Sequence, residues 1–136
     1  EPALRAMAGP SIRFLGRADD DTLVKAYGAA RAVIFTPELE YGLVPLEAAA
    51  AGTPTIALGR GGVLETMTGM DDPQGRAPTA VFFDEQTPEA GVAAVRRFEG
   101  HDFRQSDLLE HAAKFGILEF RRKLRRLVYN DMAIAP

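Results

Sequence analysis

Three glutamates and a glycine surround the start of a predicted alanine-rich helix in the stretch TPELEYGLVPLEAAAAGTP, residues 36–54. Glu38, Glu40 and Gly42 precede the helix, and Glu47 lies in its early turns, where helical side chains lean toward the N-terminus. A helix N-terminus offers unpaired N–H groups and a partial positive charge, which favour phosphate. A carboxylate repels phosphate but suits paired hydroxyls, such as those of a ribose. A sugar nucleotide carries both groups, although spacing alone leaves open that Glu47 is a solvated helix residue and Gly42 a simple turn.

The elements around this stretch alternate between strand and helix. This order predicts a parallel α/β sheet of the doubly wound, Rossmann-like kind, with helices on both faces. The chain begins in the end of a helix, and residues 68–78, rich in Gly, Pro and Asp, are predicted as a loop. The predicted strands are 11–16, 32–36, 53–59 and 80–84. The predicted helices are 19–32, 43–51, a short one within 60–67, 88–99, 106–115 and 117–130.

The position of the loop 37–42 in this order indicates a binding site. In open α/β sheets, ligands bind outside the carboxyl ends of the strands. The loop lies at the carboxyl end of the second predicted strand, directly before a helix. Gly42 would let a ligand approach the backbone closely.

Composition excludes several other function classes. The 136 residues are enough for one domain with a core, and the net charge of −3 gives no case for a nucleic-acid partner. The chain has no cysteine, which excludes disulfides, thiolate metal sites and a cysteine nucleophile and fits a reducing compartment. No apolar run approaches the roughly 20 residues that a membrane span needs.

The segment EYGLVPLEAAAAGTPTIALGRGGVLETM, residues 40–67, resembles the donor site of the retaining glycosyltransferases of family GT4, which have the two-domain GT-B fold. The segments 12–37 and 80–99 are similar to the parts of that family that flank its donor site. The run ALGRGGVLET followed by FFDEQTPEA is most similar to bacterial mannosyltransferases of the O-antigen and polysaccharide type. The resemblance implies transfer of a sugar, with mannose from GDP-mannose expected, to an acceptor hydroxyl. A UDP-sugar donor and a non-catalytic nucleotide-sugar-binding module are the alternatives.

The resemblance also implies roles for individual residues, all of them toward the nucleotide-sugar substrate, with no metal and no further cofactor. Glu47 would hold the ribose, and Gly16, Arg17 and Ala18 would border the base. The backbone around Tyr41, Gly42, Leu43 and Val44 would line the sugar and diphosphate, and Gly61, Gly62 and Glu65 would form the next wall.

One position departs from the family pattern, which places its first glutamate eight residues before the second. That position is Leu39 here, and Glu38 and Glu40 flank it. Either acid can take the role, and we favour Glu40, so that Glu40 and Glu47 are the predicted catalytic residues.

The resemblance covers a donor domain and not a whole enzyme. The family's diphosphate-binding arginine and lysine, two strands and the acceptor-binding N-terminal domain would all precede Glu1. We therefore expect residues 1–136 to be a partial donor domain without transferase activity of its own. A lipid-linked or glycan acceptor would bind through the missing N-terminal domain.

Four further features have a structural and a functional interpretation. Asp19–Asp21 favour helix capping over a metal site, and His101 and His111 favour surface or packing positions over catalysis. Arg60 follows a strand and could contact phosphate or lie on the surface. The basic run Arg121–Arg126 is a solvated helix face, a contact with anionic lipid headgroups, or a surface that packs on the missing domain.

Overall fold

The computed structural model describes the backbone of residues 2–132 and the side chains of residues 2–129. The helices in this range are α1 Pro2–Met7, α2 Asp20–Ala29, α3 Leu43–Ala50, α4 Val63–Thr66, α5 Pro88–Glu99, α6 Gln105–Ala113 and α7 Ile117–Met132. The strands are β1 Val33–Phe35, β2 Thr55–Leu58 and β3 Ala80–Phe83.

The three strands form one parallel sheet in the order β1-β2-β3. Val33 pairs with Thr55, and Thr55 pairs with Ala80 on its other side. Every residue of the central strand β2 is buried, as expected where helices cover both faces of a parallel sheet.

Alternate residues of β2 enter two separate apolar cores. Ala57 joins a cluster to which α3, α4 and α6 contribute, with Leu46 and Leu108 among its members. Ile56 and Leu58 point to the opposite face, where they pack with residues of β3 and α5. The structure is therefore the Rossmann-like α/β sheet, with helices on both faces, that the sequence predicts.

The strand predicted at 11–16 is wrong. Ile12 and Leu15 are 57% and 47% exposed, and no residue of this segment pairs with another strand. A turn closes instead at its start, where the N–H of Ile12 donates to the carbonyl oxygen of Gly9 at 3.1 Å. An apolar run forms a strand only where a neighbouring edge can accept its hydrogen bonds.

The two side-chain caps predicted at helix starts are confirmed. Asp19 accepts a hydrogen bond from the Thr22 N–H at 2.8 Å, and Thr87 accepts one from the Ala90 N–H at 3.2 Å. The hydrogen bonds from Thr22 lower the pKa of Asp19. Asp19 therefore caps α2, as its position predicts.

A single aspartate organises the loop between α4 and β3. Asp72, whose side chain is only 5% exposed, accepts hydrogen bonds from the N–H groups of Gln74 and Arg76 at 3.1 and 2.9 Å. The Arg76 guanidinium donates to the same carboxylate at 2.6 Å. The hydrogen bonds from Arg76 are the main reason why the pKa of Asp72 is lowered from 3.8 to about 2.

This lowered pKa predicts how the stability of the fold depends on pH. Because the folded pKa lies below the unfolded one, the carboxylate stabilises the fold above the unfolded value, and this is lost as the pH falls from near 4 to 2. Asp72→Asn should lower the urea midpoint at pH 7, and the difference from wild type should shrink as the pH falls through that window. Asp102→Asn, at an exposed position, is the control. A difference that stayed constant from pH 7 to pH 2 would contradict this assignment.

Candidate functional site

Three loops meet at the carboxyl edge of the sheet. They follow β1 (residues 36–42), β2 (59–62) and β3 (84–87). The side-chain amide of Gln86 donates to the Thr36 carbonyl oxygen at 2.9 Å, and the Arg60 guanidinium donates to the Asp84 carbonyl oxygen at 2.8 Å. These bonds tie the third loop to the first and the second, so the edge is one connected surface.

Two glycines hold the first loop against the second. The N–H of Gly62 donates to the Leu39 carbonyl oxygen at 2.8 Å. A Cβ atom on Gly62 would lie 2.1 Å from the Glu40 carbonyl oxygen, and one on Gly61 would lie 2.4 Å from that of Leu39. Gly61 also has a φ of +69°, which favours glycine. The backbone that carries the candidate glutamates is therefore positioned by a contact that a side chain at either glycine would prevent.

The first loop leads into α3, whose start has no side-chain cap. Gly42 is buried at the cap position, and a Cβ atom there would lie 3.2 Å from the Phe35 ring. Among the side chains of residues 2–129, none hydrogen-bonds the first turn of α3, in contrast to the capped starts of α2 and α5. Pro45 occupies the first turn, where its missing N–H costs nothing. The N–H groups of Leu43 and Val44 therefore have no intrahelical partner, and together with the partial positive charge of the helix start they suit an anion.

Glu47 lies on the wall of a groove between α2 and α3. The groove has a volume of about 400 Å³ and is lined by Asp20, Leu23, Val24, Tyr27, Glu47, Ala50 and Ala51. The Tyr27 hydroxyl donates to Glu47 Oε2 at 3.4 Å. Burial of the Tyr27 side chain, together with the charge of Glu47 and this hydrogen bond, raises the pKa of Tyr27. The phenol therefore remains a hydrogen-bond donor at neutral pH.

The other predicted residues are brought together in part. Glu38, Glu40, Tyr41 and Leu43 are exposed along the first loop and the start of α3, and Glu65 is exposed on α4. Gly16, Arg17 and Ala18 lie before α2. Arg17 and Ala18 line an open depression together with Asp19–Asp21. Asp20 lines both this depression and the groove, and it is the link between the predicted base-binding segment and Glu47.

Two functional candidates were missed by the sequence reasoning. The helical spacing of apolar residues puts Tyr27 on the apolar face of α2 but does not show that its hydroxyl meets a carboxylate 20 residues later. Gln86 bonds to Thr36 across 50 residues. Neither partner is near in the sequence, so no local pattern could have found these contacts.

Both histidines occupy packing positions, as predicted. His111 Nε2 lies 2.6 Å from the Thr66 carbonyl oxygen, and this contact connects α6 to α4. The His101 ring packs edge-on against Phe103, with ring centroids 4.6 Å apart. In the part of the chain that the structure describes, no group of three or more His, Cys, Asp or Glu residues could hold a metal ion.

Comparison with known proteins identifies the family. The chain matches the family described as glycosyl transferases group 1 over residues 1–115. The chain belongs to this family. It is also 45% identical, over 55 residues, to an uncharacterized glycosyltransferase of Methanocaldococcus jannaschii. That alignment covers 40% of this chain and 14% of the relative. The glycosyltransferase resemblance is thus confirmed at the level of this family.

The helices give no sign of a membrane span. Within residues 2–132, none of them is both long enough and apolar enough to cross a bilayer.

The contact at Gly62 can be tested with a pair of glycine substitutions. Gly62→Ala should destabilise the fold by about 1–3 kcal/mol, the usual cost of overpacking, because the new methyl group meets backbone that cannot yield without moving the first loop. Gly28→Ala is the matched control, since it lies inside α2 with nothing within 4 Å of the new Cβ. It should stabilise the fold by about 0.5–1 kcal/mol. Urea unfolding measures both values, and equal midpoints for the two variants would refute the proposed contact.

Proposed function

We propose that this chain is the donor-binding part of a retaining glycosyltransferase of family GT4, which transfers mannose from GDP-mannose to an acceptor hydroxyl in glycan or polysaccharide synthesis. The observation that carries the proposal is the position of Glu47. Glu47 lines the groove and belongs to α3, whose uncapped start lies at the carboxyl edge of the sheet. The chain that carries this helix belongs to the glycosyl transferases group 1 family. An anion-binding helix start and a hydroxyl-binding carboxylate on one helix match the two ends of a nucleoside diphosphate.

The start of α3 would stabilise the leaving group. The bond between the anomeric carbon of the sugar and the β-phosphate oxygen breaks, and negative charge develops on that oxygen as the nucleoside diphosphate leaves. The N–H groups of Leu43 and Val44 and the partial positive charge of the helix start lower the energy of that charge. Glu47 lies one turn further along α3, on the groove wall, where it would bind the ribose hydroxyls instead of the phosphates.

The first loop would bind the donor sugar. The backbone of Glu40 lies directly against Gly62, while Glu38 precedes the anchored Leu39 carbonyl. A carboxylate on fixed backbone loses less conformational freedom when it binds a ligand. We therefore assign the first-glutamate role to Glu40. The base would lie along Gly16–Ala18, and the acceptor, a lipid-linked molecule or a glycan, would bind outside residues 1–136.

The assignment of Glu47 predicts the behaviour of one variant of the intact protein. Glu47→Ala should weaken GDP-mannose binding by about ten- to a hundredfold, since hydrogen bonds to a charged group contribute about 1.5–3 kcal/mol. Sugar transfer should fall at least as much. Glu99→Ala is the control, because Glu99 lies at the end of α5, where it forms a long, exposed ion pair with Arg31, at 3.9 Å.

Calorimetry and a transfer assay with GDP-mannose and UDP-glucose distinguish the outcomes. Binding of UDP-glucose and not of GDP-mannose would agree with the proposed glycosyltransferase family but would replace GDP-mannose by a UDP-sugar as the donor. Binding that depends on Glu47 without any transfer or hydrolysis would favour a non-catalytic nucleotide-sugar-binding module. That outcome is a specific alternative because Leu39 occupies the position where the family pattern has its first glutamate. Donor binding unchanged by Glu47→Ala would contradict the proposed site.

We also propose that α7 contacts an anionic membrane surface. Apolar residues recur at helical spacing along α7 and are all exposed: Ile117, Phe120, Leu124, Leu127 and Val128. Five cations lie beside them: Arg121, Arg122, Lys123, Arg125 and Arg126. Residues 117–129 contain one acidic residue, Glu119. The Arg122 guanidinium donates to the Glu119 carboxylate, and this hydrogen bond lowers the pKa of Glu119. An apolar stripe bordered by cations is complementary to anionic headgroups above acyl chains.

Vesicle binding tests the contact between α7 and the membrane. The intact protein should sediment with phosphatidylglycerol vesicles and not with phosphatidylcholine vesicles. Replacement of Arg121, Arg122, Arg125 and Arg126 by glutamine should weaken binding at least about tenfold, since each cation near an anionic surface contributes about 1 kcal/mol. Arg31→Gln with Arg96→Gln, two exposed arginines on other parts of the chain, should not. Absence of anionic vesicle binding by the wild type would end the proposal.

A further inference from the structure

The two walls of the groove are joined at a buried threonine. Thr53 is 2% exposed, and its hydroxyl donates to the Tyr27 carbonyl oxygen at 2.6 Å. Its N–H donates to the Ala48 carbonyl oxygen at 2.9 Å. Ala48 directly follows Glu47 in the sequence. One residue therefore fixes the backbone of Tyr27 and the backbone next to Glu47 relative to each other.

The side chains of Tyr27 and Glu47 make contact through one of the two carboxylate oxygens. The Tyr27 hydroxyl donates to Oε2 of Glu47 at 3.4 Å. Among residues 2–129, no other side chain donates a hydrogen bond to the Glu47 carboxylate. One carboxylate oxygen is thus engaged within the protein, while Oε1 remains available as an acceptor.

We infer that Tyr27 is a positioning residue for Glu47: its hydroxyl holds one carboxylate oxygen so that the other accepts hydrogen bonds from the ribose diol of the donor. This inference rests on the proposed function. An exposed glutamate on a helix samples several rotamers, and holding one of them before the ligand arrives reduces the entropy that binding would otherwise cost. The ring of Tyr27 also forms part of the groove wall, and the inference concerns only its hydroxyl.

The hydroxyl can be tested without disturbing the ring. Tyr27→Phe removes the donor atom and keeps the groove wall, and Tyr129→Phe on α7 is the matched control. The probes are a nucleoside diphosphate and its 2′,3′-dideoxy counterpart, with guanine and with uracil bases, titrated calorimetrically into the intact protein. Only the ribose forms present the diol that Glu47 would bind.

The expected result is a selective loss. The wild type should prefer the ribose form, and Glu47→Ala should abolish that preference. Tyr27→Phe should weaken binding of the ribose form about three- to tenfold, the effect of one hydrogen bond, and leave the dideoxy form unchanged. The double variant Tyr27→Phe, Glu47→Ala should behave like Glu47→Ala alone, because the hydroxyl acts only through that carboxylate.

Three other results would overturn the inference and are distinguishable. If Tyr27→Phe keeps the full ribose preference while Glu47→Ala loses it, the positioning role is wrong and the proposed function stands. If Tyr27→Phe weakens both forms equally, the residue supports only the groove wall. If the wild type shows no ribose preference, or binds neither base, the role of Glu47 in the proposed function fails together with the inference.

Discussion

The close backbone contact between Gly62 and the first loop determines the rest of the site. The N–H of Gly62 donates to the Leu39 carbonyl oxygen, and this hydrogen bond joins the loop after β1 to the turn after β2. The two backbones can approach this closely because Gly62 has no Cβ atom. Gly42 is buried at the end of the same loop, against the Phe35 ring, where α3 begins. Backbone packing therefore positions the loop that carries Glu38 and Glu40, whereas the Glu47 carboxylate is contacted from α2 by the Tyr27 hydroxyl.

The site separates two kinds of charge along one helix. The start of α3 attracts negative charge, since its first N–H groups have no side-chain cap, whereas Glu47 one turn later presents a carboxylate. An unscreened carboxylate at the helix start would compete with phosphate for the same N–H groups. The Tyr27 hydroxyl on α2 donates to the Glu47 carboxylate. In the proposed site, phosphate would therefore bind at the start of α3 and hydroxyl groups at Glu47.

The elements that could be predicted from the sequence are those whose structure is determined by residues close together in the chain. Thr87 and Pro88 predict the start of α5, because one caps the helix and the other occupies its first position. The continuous apolar runs of β2 and β3 are typical of buried strands. The run at 11–16 is also short and largely apolar but has no partner strand, and strand pairing is not a local property. The glycines of the site were visible as turn residues, whereas the carbonyls that they contact were not. Likewise, the sequence shows Tyr27 only as one of the apolar positions of an amphipathic helix, since its hydroxyl reaches Glu47 through the packing of α2 on α3.

The proposed site requires a donor bound between the start of α3 and the groove, and one titration tests this directly. GDP-mannose would be added to the isotopically labelled protein, and the backbone amide resonances of Gly42, Leu43 and Val44 would be followed. Gly100 and His101, which follow α5 and do not line the groove, would serve as references at the opposite edge of the sheet. Saturable shifts are expected in the resonances of Gly42, Leu43 and Val44, and none in those of the two reference residues. Saturable shifts confined to the opposite edge, or none at the start of α3 with any nucleotide sugar that binds, would contradict the proposed site.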